Sequence, residues 1–85
     1  MRLIFKRAAA RALERVPADR RRQILDRLKQ LAADPASRSF DVQPLAASDL
    51  LRLRVGDYRI LFTIDRTGDA LMVELVRTRG DVYRR

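Results

Sequence analysis

The chain contains no cysteine and no histidine. The first absence excludes disulfides and thiolate nucleophiles. The second removes three things at once: the commonest general base, the commonest zinc ligand, and the serine–histidine triad. No apolar run approaches the roughly 18 residues that cross a bilayer, so no membrane partner is expected. Residues 1–7 lack the apolar stretch of about 7–15 residues found in secretory signals, and the expected compartment is the cytoplasm. A phosphate-cradling glycine loop, a dinucleotide fingerprint and a metal-ligand cluster are also missing, so neither metal nor cofactor is expected.

What remains is a short, folded and very basic chain. Its 85 residues are 47% hydrophobic and 35% charged, the composition of one globular domain, expected to span residues 1–85. Nineteen basic against eleven acidic residues give a net charge of +8. That field favours a polyanionic partner such as nucleic acid. Lys6 and Lys29 are the only lysines and the other basic residues are arginines, a bias that a GC-rich genome also produces.

The hydrophobic spacing predicts a β-α-α-β-β-β order. Residues 2–6 read as a strand. Ala9, Ala12, Leu13 and Val16 recur at helical spacing over residues 8–16. Pro17 interrupts that helix and suits the first turn of the next. Residues 18–33 carry one apolar stripe, Ile24, Leu25, Leu28, Leu31 and Ala32, and Asp34-Pro35 ends it. The basic residues off that stripe, Arg20, Arg21, Arg22, Arg27 and Lys29, suit a solvated face better than a DNA-reading helix. Residues 35–49 form a long connection in which Phe40, Val42 and Leu45 allow a short edge strand. Strands follow at 50–55, 58–64 and 71–76, separated by turns at Gly56-Asp57 and Arg66–Asp69. The expected class is α+β, with two N-terminal helices on one face of a small, mainly antiparallel sheet.

Pairing the first hairpin about Gly56-Asp57 sets Val55 opposite Tyr58, Arg54 opposite Arg59, Leu53 opposite Ile60 and Arg52 opposite Leu61. Alternation then puts Leu51, Leu53, Val55, Tyr58, Ile60, Phe62 and Ile64 under the helices and Arg52, Arg54 and Arg59 on the other face. Like charges directly opposed weaken a sheet. A bound anion or a neighbouring acid would explain them. If Asp65 faces Ala70, Leu61 faces Glu74, and Glu74 joins the arginine face. There it either neutralises Arg52 or Arg59 or accepts a proton from a substrate hydroxyl. The C-terminal run 77–85 adds four arginines and Tyr83, an aromatic that can stack on a base while guanidinium groups hold phosphates, or simply a solvated basic tail.

The segment Ser48–Phe62, with Pro44-Leu45 before it, resembles the RelE/ParE superfamily of toxins from toxin–antitoxin modules. Asp81-Val82-Tyr83-Arg84 resembles the usual RelE-like ending, and chain length and element order fit along nearly the whole sequence. In the RelE-like branch the resemblance implies a type II toxin that cleaves mRNA on the ribosome, without metal, by attack of a ribose 2′-hydroxyl on the adjacent phosphate. It also implies a cognate antitoxin that blocks the toxin and, as a complex with it, represses the operon by binding operator DNA. The alternative is a ParE-like inhibitor of DNA gyrase that is not an enzyme. A third outcome is a basic protein-binding module that has lost its toxicity.

Carried over residue by residue, the resemblance makes Arg52 and Arg54 RNA-contacting, Arg59 the holder of the scissile phosphate, Arg79 a second transition-state arginine and Tyr83 the stacking tyrosine. Fixed guanidinium donors suit the charge that develops on phosphoryl oxygens. The chain departs from the family tail His-Arg-Arg-Asp-Val-Tyr, having Thr78 in place of the histidine and Gly80 in place of an arginine. Arginine holds its proton too firmly to act as a base. Proton handling is left to Glu74, Tyr83 or the ribosomal RNA.

Overall fold

The computed structural model describes residues 1–78. Its elements are β1 (Arg2–Phe5), α1 (Arg7–Glu14), α2 (Ala18–Ala33), β2 (Val42–Pro44), β3 (Leu51–Val55), β4 (Tyr58–Asp65) and β5 (Ala70–Thr78). The expected order holds, with β2 as the edge strand in the 35–49 connection. The sheet runs β1-β5-β4-β3-β2. Three of its pairings are antiparallel, and β1 lies parallel to β5 at the other edge. Pro44 is tolerated because an edge strand has one side without a ladder.

α1 ends two residues before its apolar spacing does. Pro17 disfavours helical geometry in the residue before it, so Arg15 and Val16 turn out of the helix. Pro17 itself stands at the N-cap of α2 with an extended ψ of 146°, one step before the first turn. The Arg21 guanidinium reaches the carbonyls of Leu13, Glu14 and Val16 at 3.4–3.5 Å, where a helix end has unsatisfied acceptors. Arg27 stacks 4.4 Å over the Phe40 ring and donates to the Ser39 carbonyl at 3.3 Å, which fastens the loop before β2. Two arginines that read from sequence as a solvated stripe therefore hold backbone in place.

The core lies between the helices and one face of the sheet. Ala9, Leu13, Ile24, Leu28 and Leu31 from the helices meet Leu53, Ile60, Phe62, Leu71, Val73 and Val76 from the strands. Truncating a fully buried member such as Leu28 to alanine would cost about 2–5 kcal/mol. No polar or charged residue is buried among the described residues.

The β3–β4 hairpin has the expected register from Val55↔Tyr58 to Arg52↔Leu61. Gly56 takes φ of +57° at its first loop position, a conformation that costs a Cβ-bearing residue about 1–2 kcal/mol. The second hairpin begins as expected at Asp65↔Ala70 and then departs. A bulge falls between Leu61 and Phe62, so Phe62 faces Val73 while Leu61 faces Leu75, not Glu74. Glu74 is the extra residue. Val73 and Val76, three apart, both reach the core, while Glu74 and Leu75 between them are only half-buried.

Candidate functional site

The sheet face away from the helices carries the charge. β3 alternates buried Leu53 and Val55 with Arg52 and Arg54, and β4 alternates buried Ile60 and Phe62 with Arg59, Leu61 and Thr63. Register aligns these residues in rows. Arg54 pairs with Arg59, and Arg59 pairs on its other side with Arg77 of β5. Three arginines thus line up across three strands, spanning about 10 Å at the usual strand spacing. The next row is Gln43, Arg52, Leu61 and Leu75.

Acidic compensation is thin. Arg54 Nε lies 3.9 Å from Asp41 Oδ2, both side chains about half exposed, a contact worth at most a few tenths of a kcal/mol. The Arg59 and Arg77 side chains have no ion pair or hydrogen bond among the described residues. Arg52 donates from Nη2 to Gln43 Oε1 at 3.1 Å, but its Nε is shielded from solvent without an acceptor. Each opposed like pair costs the sheet roughly 0.2–1 kcal/mol, and desolvated donors without acceptors cost more. An anion brought to this face would relieve the like-charge penalty.

Glu74 does reach the open face, but its partners are neither Arg52 nor Arg59. Its Oε1 lies 3.2 Å from Lys6 Nζ, and its Oε2 accepts from Thr63 Oγ1 at 3.2 Å. The bulge moves Glu74 toward Thr63, four residues along β4 from Arg59 and so about 13 Å away. The carboxylate that was expected to neutralise the arginines balances a lysine at the far end of the face instead.

Arg52, Arg54 and Arg59 are therefore brought together, and Glu74 stands apart. Arg79 and Tyr83 lie outside the described residues. Two residues on this face escaped the sequence argument. Lys6, the residue between β1 and α1, is one. Arg77 is the other: it reads from sequence as part of the basic C-terminal run, with no place on the sheet, where strict alternation along residues 71–77 would turn it toward the helices. The signal was present: under strict alternation Glu74 and Arg77 point to opposite faces, which drives one charge into the core. A bulge removes the conflict.

Known proteins match both this layout and the sequence behind it. Structures similar to the chain include the archaeal RelE–RelB complex from Pyrococcus horikoshii, at 28% identity and a TM-score of 0.79, covering 93% of this chain and 94% of that one. The YoeB/ParE toxin from Agrobacterium tumefaciens matches at 19% identity and a TM-score of 0.77, covering 92% and 98%. The isolated RelE toxin of E. coli matches at 15% identity and a TM-score of 0.73, covering 91% and 82%. The last two likenesses are of fold alone. No protein of curated function matches. The family model described as the ParE toxin of the type II toxin–antitoxin system, parDE, matches residues 3–83. Two helices over a mixed five-stranded sheet, and a sequence match along nearly its whole length, make this chain a member of the ParE toxin family of type II toxin–antitoxin systems, within the RelE/ParE superfamily.

Proposed function

We propose that the chain is a toxin that stops translation by cutting mRNA held on the ribosome. The observation that carries this reading is the Arg54–Arg59–Arg77 row, three register-aligned cations with one distant acid between them. In-line displacement at phosphorus spreads negative charge over the nonbridging oxygens, and fixed guanidinium donors on a rigid sheet stabilise it. Arg59, at the centre of the row, holds the scissile phosphate. Arg77 and Arg54 flank it, and Arg52 holds the strand beside it. Arg79 and Tyr83 complete the site as a second phosphate donor and a base-stacking ring. The arginines of the row hold their protons too firmly to take the 2′-hydroxyl proton, so the ribosome supplies alignment and proton transfer. Glu74, already occupied by Lys6 and Thr63, stays outside the chemistry.

The partner that restrains the toxin is an antitoxin, as in the RelE–RelB complex from Pyrococcus horikoshii. A +8 protein with an open basic face calls for an acidic or amphipathic cover. The pair would act in the cytoplasm and reach operator DNA through the antitoxin.

A second reading has its own support, since the matching family model is that of ParE toxins. In that case the chain would inhibit DNA gyrase without catalysis. Purified toxin in a translation extract, with mRNA 5′ ends mapped, separates the two. Cuts that require ribosomes support the first. Gyrase-dependent DNA breaks with intact mRNA overturn it in favour of the second.

A further inference from the structure

We infer that Leu61 and Leu75 form an apolar rest for one nucleobase of a single-stranded polynucleotide whose phosphates lie on the adjacent arginine row. The inference rests on the open face being an RNA-binding face. Leu61 and Leu75 are direct partners across β4 and β5, and both remain half-buried on the face away from the helices. The core does not need them, because Ile60, Phe62, Val73 and Val76 on either side fill it. The bulge creates the pair, since without it Leu75 would point toward the helices beside Val73. Arg59 and Arg77 sit two residues away on the same two strands, a separation of about 6.8 Å. That is the reach from a nucleotide's phosphate to its own base.

The combination selects among anions. Inorganic phosphate or an acidic peptide side chain would use the arginines and leave the leucines wet. A duplex presents its phosphates but keeps its base faces stacked inside. A single strand offers a charged group and an apolar, flat group at this separation. Arg52, in the leucine row, adds a guanidinium beside the pair.

The test is binding of a short single-stranded RNA by the purified toxin at low salt, beside the same RNA with abasic nucleotides. Wild type should bind the abasic RNA about five- to tenfold more weakly. Leu61→Ala and Leu75→Ala should each bind intact RNA more weakly and lose most of that discrimination. Their slope of log affinity against log salt should match wild type, because no phosphate contact is removed. Arg59→Ala should flatten that slope by about one unit. Equal affinity of wild type for intact and abasic RNA would overturn the inference, and needs no variant to fold. If the slope of Arg59→Ala stays at the wild-type value, the RNA-binding reading of the whole face fails instead.

Discussion

Arg59 on β4 is the register partner of Arg77 on β5 and also of Arg54 on β3, so one arginine is flanked by two others across adjacent strands. Sheets are weakened by such alignments, and nothing in the core requires it. The alignment therefore suggests the first experiments.

Arg59→Ala should lower the rate of mRNA cleavage on ribosomes by about 10²–10³, the usual loss when a charged donor leaves a transition state. Stability should hold or rise slightly, because two like-charge contacts vanish. Single-turnover cleavage and thermal melting report the two effects separately. Wild-type cleavage by this variant would remove Arg59 from the site.

Arg77→Ala should also impair cleavage, by about tenfold or more, with no loss of stability. If Arg77 and Arg59 grip one phosphate, the double variant should be less impaired than the product of the single effects. Strict multiplication of the two losses would mean that they act on separate groups.

Glu74→Gln should leave cleavage within about threefold of wild type, since both carboxylate oxygens already serve Lys6 and Thr63. The Lys6 pair is half exposed on the lysine side, so Lys6→Met should cost less than about 1 kcal/mol, with a salt-sensitive part. A large loss of cleavage in Glu74→Gln, with melting unchanged, would return the carboxylate to the role of proton acceptor.

Tyr83→Phe keeps the ring and should keep most activity, whereas Tyr83→Ala should lose roughly 5- to 150-fold, the worth of one stacked base. Equal failure of both variants would assign the hydroxyl to proton transfer. Full activity of Tyr83→Ala, measured by growth arrest and by cut mRNA, would take the tyrosine out of the mechanism.

Gly56→Ala tests the scaffold. The left-handed φ at the β3–β4 turn should make it cost about 1–2 kcal/mol, read as a lower melting temperature. No neighbouring atom lies within 4 Å of where the new Cβ would sit, so crowding should add nothing.

Much of the molecule was legible before any coordinates. Ile24, Leu28 and Leu31 repeat at helical spacing, and they are the buried stripe of α2. Gly56-Asp57 fixes a two-residue loop, and a two-residue loop fixes register, so Arg54 opposite Arg59 followed directly. Prediction failed where one residue had to be counted as extra. Alternation assumes an unbroken ladder, and residues 71–76 are apolar at all positions but one, so the pattern does not reveal where the ladder breaks. The partner of Glu74 was missed for a different reason. Lys6 is about seventy residues away in sequence and reaches it only because β1 lies parallel to β5, a pairing that local spacing does not encode.

The bulge in β5 is a phase shift, and that changes which mutations matter. Before it, odd-numbered residues point to the helices, and after it even-numbered ones do. Deleting Glu74, the extra residue, would restore a regular ladder and keep everything downstream in phase: Leu75 and Arg77 would stay on the open face and Val76 in the core. The arginine row should therefore survive a single-codon deletion at Glu74, which removes the contacts to Lys6 and Thr63 but no arginine pairing.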